Sequence, residues 1–295
     1  MERMEPHGID VRPADTDRPV TELGAFLRSR RDRLSPDAAG VNSYGRRRVP
    51  GLRREELAQL AGVSMTYLTR LEQGQSQNAS DAVIDALARA LRLEADERAH
   101  LFALARPVTP RRRPVAPERA TPGAEQLLHA MGEVPAVLLG RFSDILAWNR
   151  AGHLLLAGHL DAEAPVPPED RPNQLRLLFL DPHTRDLYVD WDDEAALAVA
   201  SLRYVAAQFA DDRRLAELVG DLSVNSPEFA HLWAGHDVRL CTSGSKRFRH
   251  PEVGDLELDY EVLHLPEGNG QRLLTHTAEP GSTSSAALRL LTTTS

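Results

Sequence analysis

The sequence predicts two domains of different class: an all-α domain with a helix-turn-helix, followed by an α+β domain with an antiparallel sheet. Three observations carry this. Residues 20–105 repeat apolar side chains at helical spacing in short segments. Residues 106–123 hold five prolines, at positions 107, 110, 114, 117 and 122, interspersed with arginines, and such a run cannot build a packed helix. Residues 255–262 alternate Leu256, Leu258, Tyr260 and Val262 with Asp255, Glu257, Asp259 and Glu261. Period two means one buried and one wet face, hence an antiparallel strand.

Length and composition agree with this division. A chain of 295 residues fits about two domains, and 42% hydrophobic against 26% charged residues suffices for cores. The net charge of -8 hides an asymmetry. Residues 1–120 carry 21 arginines against 17 acids, whereas 121–295 carry 14 basic residues against 26 acids. Within 24–54, nine arginines face only Asp32 and Asp37. A basic segment on an acidic body points to nucleic acid, with contact confined to the basic side. One cysteine, Cys241, excludes an intramolecular disulfide framework and any Cys-rich zinc site. No apolar run reaches membrane-spanning length, and the first residues are too acidic for a signal peptide. A cytoplasmic protein with no membrane partner is expected.

In order, residues 1–19 lack periodicity and read as a disordered tail. The first domain is 20–106. A helix over 23–34 places Leu23, Phe26, Leu27 and Leu34 on one side, and a Gly, Pro and Arg-rich loop follows to residue 51. Two short helices, 53–61 and 64–73, are split by Gly62. Ser80 caps a fourth helix with Val83, Leu87, Ala90 and Leu91 inward; a fifth spans 94–105 with Leu101 and Leu104 inward. Residues 107–123 are the linker, and 124–295 the second domain. There, 136–141 and 144–148 read as two strands joined by a tight turn, and Asn149 caps a helix to 156. Helical patterns follow at 173–180, 191–210, 213–222 and 227–234. The strand 255–265 ends its alternation at Leu263, His264 and Leu265, and 271–278 is its hairpin partner across a turn at 266–270.

The motif with chemistry is Leu57-Ala58-Gln59-Leu60-Ala61-Gly62-Val63-Ser64 followed by Tyr67 to Gly74. Ala58 lets a second helix approach, Gly62 supplies a positive φ for the sharp turn, and Leu57, Leu68 and Leu71 share a core. Ser64 caps the second helix and can meet a phosphate. Met65, Thr66, Thr69, Arg70 and Gln73, spaced by threes and fours, then form one exposed face of a recognition helix for double-stranded DNA. Singly, each has an ordinary reading, since Arg70 could be a solvated charge and two helices meet at a glycine in many bundles. Jointly, beside the arginine run, they read as DNA-binding. Arg46, Arg47 and Arg48 sit in the long loop between the first two helices, where they either reach the DNA backbone or minor groove or stay solvated.

Residues 20–105 resemble the XRE-type (Cro/repressor-like) helix-turn-helix domain. The strings VPGLRREELAQLAGVSMTYLTRLEQG and ALARALRLEADERAHLFALA resemble the subfamily carrying a carboxy-terminal MmyB-like ligand-binding domain. VPAVLLGRFSDILAWNRAGHLL, FAHLWAGHDV, KRFRHPEVGDLELDYEVL and LLTHTAEPGS are similar to that second domain. The resemblance implies a bacterial transcription regulator whose second domain is PAS-like and senses a small molecule. By position, it implies a phosphate contact at Arg54, base-facing roles for Met65, Thr66, Thr69 and Arg70, and a structural salt bridge between Arg31 and Glu72. Met65 departs from the polar residue common there, which suits a thymine methyl.

A PAS-like sheet wrapped by helices can enclose a pocket. Its candidate lining is Leu139, Trp148, Leu154, Phe179, Val199, Leu202, Phe209, Leu232 and Trp233, although such stripes are also what an ordinary core needs. Arg203, at the edge of the 191–210 stripe, pairs either with a carboxylate of the domain or with the anionic end of an apolar, fatty-acid-like ligand. His250-Pro251, His236-Asp237 and Asp181-Pro182-His183 lack metal-ligand spacing and read as hydrogen-bonded turns, so no metal or other cofactor is expected. No nucleophile elbow, P-loop or dinucleotide fingerprint is present, so no enzyme is expected. A homodimer is expected because one short helix reads few base pairs. The alternative is a DNA-tethered protein-interaction module with no small-molecule ligand.

Overall fold

The computed structural model describes residues 21–41, 50–75, 79–106, 117–265 and 270–294. The expected tail 1–19, the arginine arm 46–48, most of the proline-rich linker and most of the 266–270 turn lie outside them. Internal contacts divide the chain between Leu91 and Arg92 into two units.

The first unit holds α1 (Glu22–Arg33), α2 (Arg54–Ala61), α3 (Met65–Glu72) and α4 (Asp81–Ala90). Each start has a local cause. Thr21, Ser64 and Ser80 accept the N–H groups of Gly24, Tyr67 and Val83 at 3.3, 3.1 and 3.4 Å. Gly62 ends α2 at φ 65°, a left-handed value that a side chain would strain. Phe26, Leu27, Leu57, Leu68, Leu71, Ile84 and Leu87 form the core, all at most 1% exposed. Cutting any of these leucines to alanine costs about 2–5 kcal/mol. The inward stripe of α4 is rotated from the expected one: Ile84, Leu87, Ala88 and Leu91 are buried, while Val83 and Ala90 are half-buried.

The second unit includes α5 (Ala95–Ala105), which the sequence placed with the first domain. Asp96 of α5 accepts the N–H of Leu240 at 2.9 Å, and Leu101 is fully buried. Residues 117–123 also differ from the expected spacer. The Glu118 carboxylate takes the Arg141 side chain and, at 3.0 Å, its backbone N–H, while the Arg119 carbonyl accepts Gln271 Nε2 at 3.0 Å. Thr121 then caps α6 (Pro122–Ala130), with Pro122 in its first turn, where a missing N–H costs nothing.

Five strands form one antiparallel sheet in the order β2-β1-β5-β4-β3: β1 (Ala136–Leu139), β2 (Ile145–Trp148), β3 (Ser243–His250), β4 (Gly254–His264) and β5 (Arg272–Thr277). The expected α+β arrangement is present. On β4, Leu256, Leu258 and Tyr260 are buried and Asp255, Glu257, Asp259 and Glu261 exposed, and the strand continues past the lapse to His264 with Leu263 49% exposed. Strand β1 is buried on both faces, because Ala136 and Leu138 pack toward Leu128 of α6 while Val137 and Leu139 pack toward Tyr260 and Leu274.

The helices α7 (Arg150–Ala157), α8 (Gln174–Leu180), α9 (Pro182–Leu187), α10 (Trp191–Ala206), α11 (Arg213–Asn225), α12 (Pro227–Ala234) and α13 (Thr283–Thr294) complete the unit. Asn149 explains the β2–α7 corner. Its Oδ1 accepts the N–H of Gly152 at 2.8 Å and of Ala136 at 3.0 Å, and its Nδ2 donates to the Val134 carbonyl at 2.7 Å. Gly152 lets α7 touch β1, since a Cβ there would lie 2.4 Å from the Ala136 carbonyl oxygen. Four elements have no counterpart in the expectation: α6, α9, β3 and α13. Among the described residues, no helix is long and apolar enough to cross a membrane.

Candidate functional site

Helix α3 presents one polar face. Met65 is 54% exposed, Thr66, Arg70 and Gln73 are exposed, and Thr69 is half-buried with its hydroxyl donating to the Met65 carbonyl at 2.9 Å. Leu68, Leu71 and Glu72 face the other way and are fully buried. A buried carboxylate needs partners, and Glu72 has two. Arg31 Nε stands 2.9 Å from Oε1 and Arg54 Nε 2.5 Å from Oε2. Arg31 also donates to the Leu52 carbonyl at 2.8 Å, and Arg28 to the Glu72 carbonyl at 3.2 Å. Gly24 of α1 meets this end of α3 closely, for an added Cβ would lie 2.1 Å from the Glu72 carbonyl oxygen. Helix α3 is therefore fixed to α1 and α2 from behind while its front stays open. Arg54, expected only as a phosphate contact, also belongs to this clamp, with its side chain still 47% exposed. The expected contacts at Arg46, Arg47 and Arg48 lie outside the described residues.

In the second unit, a cavity of about 80 Å³ lies between the sheet and the helices. Val137, Leu139, Trp148, Leu274, Leu175, Leu178, Leu197 and Leu202 give it apolar walls. Polar groups enter at Ser143, Gln174, Thr184, Tyr188, Glu194, Cys241, Lys246 and Arg272. Lys246 Nζ lies 2.7 Å from Glu194 Oε1, both side chains nearly buried, and 4.5 Å from the Tyr260 ring centre. A wider cleft of about 600 Å³ also borders Tyr188, Glu194, Leu197 and Lys246, so the ion pair stands between cleft and cavity. Burial holds the Arg272 guanidinium down to about 10, which leaves it charged at neutral pH; it donates to the Gly140 carbonyl at 2.9 Å and to Ser143 Oγ at 2.6 Å. Burial and the nearby Glu194 charge push the Tyr188 phenol up.

Of the expected lining residues, the structure brings Leu139, Trp148 and Leu202 to the cavity, and Val199 and Leu232 to the outer cleft. The others border neither. Phe179 packs edge-on against Trp191 and Phe229 in the core, and Trp233 stacks on Phe229. Leu154 packs on the same core. Helix α10 stops at Ala206, so Phe209 lies in the following turn against Phe142 and Arg141. Arg203 is buried, but its guanidinium donates to the Trp233 carbonyl and lies 3.9 Å over the Trp233 ring, away from the cavity.

The sequence reading missed Lys246 and Glu194. Lys246 carried one signal, as the chain's single lysine among 35 basic residues. His250 does sit in a hydrogen-bonded turn: Nδ1 accepts the Glu252 N–H at 3.2 Å, which leaves Nε2 to donate to the Leu154 carbonyl at 3.0 Å.

A helix-turn-helix with an open polar face, joined in one chain to an α+β unit enclosing a cavity, defines a DNA-binding transcription regulator with a ligand-binding domain. Residues 22–101 match a helix-turn-helix domain family, and residues 120–291 match the MmyB-like transcription regulator ligand binding domain. The second match spans more than half of the chain, and the chain belongs to that family. No curated protein matches it.

Proposed function

We propose that this regulator binds a specific operator as a homodimer, in the cytoplasm and without enzymatic activity, and that a small apolar ligand with an anionic end sets its grip on DNA. In this reading Met65, Thr66, Thr69, Arg70 and Gln73 face bases, and Ser64, Arg54 and the Arg46–Arg48 arm face phosphates. Dimerisation supplies the second half-site that one eight-residue recognition helix cannot read.

The observation that carries the ligand reading is the Lys246–Glu194 pair at the end of an apolar cavity. A ligand carboxylate arriving from the outer cleft would replace Glu194 on Lys246 and lay its tail along Leu139, Trp148 and Leu202. Small-molecule sites usually enclose roughly 300–1,000 Å³. The 80 Å³ cavity must therefore widen, which moves the helices that wall it. Those shifts are how occupancy would reach the rest of the chain.

Thermal melting of the full chain against matched long-chain acids and alcohols tests this, since a ligand bound only by the folded state raises the melting temperature. Acids should shift the wild type more than alcohols, and the charge-neutral double variant Glu194→Gln/Lys246→Met should lose the preference. If neither class shifts the wild type, or both do equally, the ligand reading fails and the interaction-module alternative takes its place.

A further inference from the structure

Twenty-one residues of chain separate His159 from Asp181, yet the fold brings both beside His183. His159 Nε2 lies 3.0 Å from Asp181 Oδ2, and the His159 and His183 rings stack with centroids 4.0 Å apart. One donor atom from each of the three side chains falls within 4.8 Å of the other two. His183 Nδ1 is buried and has no hydrogen-bond partner among the described residues, a cost that a bound ion would remove. Asp181 is held in place from behind: its Oδ2 accepts the Thr184 N–H at 3.0 Å and the Thr184 hydroxyl at 2.6 Å. Outer hydrogen bonds of this kind orient a carboxylate ligand.

We propose that His159, Asp181 and His183 form a binding site for a divalent transition-metal ion of the zinc type. Two imidazoles and one carboxylate suit zinc and its neighbours in the first transition row, whereas magnesium and calcium favour all-oxygen sets. Three protein ligands leave a fourth position for water. The site has a structural consequence. His159 follows Ala157 by two residues and His183 precedes Thr184, and both Ala157 and Thr184 border the cavity. A bound ion would clamp the end of α7 to the start of α9 and fix that rim. The clamp does not depend on what the cavity holds.

Equilibrium dialysis of the chelator-stripped full chain against Zn²⁺, with Co²⁺ as a spectroscopic probe, tests the site. The wild type should take up one ion tightly and melt at a higher temperature with it. His159→Gln and His183→Ala should each weaken uptake by at least about tenfold, the lower end of what losing even an outer-shell partner costs. His231→Ala, on α12, should leave it unchanged. His159→Gln alters a side chain at the surface, so it keeps the test open should His183→Ala fail to fold. No saturable uptake by the wild type, or uptake unaffected by His159→Gln, overturns the proposal.

Discussion

Arg31 of α1 reaches the buried carboxylate of Glu72 at the end of α3, 2.9 Å from Nε to Oε1, and so sets the orientation of the second helix of the helix-turn-helix. Removing one partner of a buried pair costs about 3–5 kcal/mol, because a charge is left without its counter-charge. Arg31→Met should therefore destabilise the first unit by about 3 kcal/mol, the lower end, because Arg54 still faces Glu72. Urea unfolding of the full chain followed by helix signal measures it. A change below about 1 kcal/mol would make the pair incidental.

Arg70 is exposed on the open face of α3. If its guanidinium spans one guanine edge, Arg70→Ala should lose about 1–3 kcal/mol on an operator selected from random duplexes and relax one base position. An equal loss on unselected DNA would make Arg70 a phosphate contact.

Replacing Arg46, Arg47 and Arg48 together by alanine should weaken binding to all sequences alike. The slope of log affinity against log salt should flatten by about 0.9 for each phosphate that the arm no longer neutralises. An unchanged slope would assign the arm to solvent.

His276 on β5 is 1% exposed, and burial, with the Lys246 charge second, holds its imidazole down to about 3. Above its ordinary value of 6.5 neither the folded nor the unfolded chain carries this proton, so the group leaves stability unchanged there. Below 6.5 the unfolded chain takes up a proton that the folded chain refuses, and stability falls toward about 3 by up to about 1.4 kcal/mol per pH unit. His276→Leu should flatten the slope between about pH 6.5 and 5, where most carboxylates are still ionised. Denaturant titrations across that window check it, and equal slopes would show that His276 is protonated in the folded chain.

What was legible in the sequence depended on one kind of signal at a time. Ser64, Gly62 and Asn149 were readable because a cap or a left-handed turn is decided by a few neighbouring residues. The wet and dry faces of β4 were readable because its acids mark the solvent side. Strand β3 was not, since its inward residues are Lys246, Phe248 and His250, and two of those are polar residues buried only because partners elsewhere in the chain meet them. Helix α6 hid behind prolines that suggested a spacer, although Pro122 sits where a helix tolerates it best. For the pocket, Phe179, Trp233 and Leu139 looked alike, because periodicity separates inside from outside but not filled core from cavity wall. Arg203 shows the same limit: its burial followed from its stripe, its Trp233 partner from tertiary packing alone.

If the proposed function holds, occupancy of the cavity beside Lys246 changes how α3 grips DNA. Fluorescence anisotropy of the selected operator, titrated with full-length protein in the presence and absence of a long-chain acid shown by melting to bind, measures that coupling. Operator affinity should change by roughly 5–150-fold, the usual span of coupling between two sites, and should stay constant in the Glu194→Gln/Lys246→Met variant. Superimposable binding curves from the ligand-saturated and ligand-free wild type would refute the coupling.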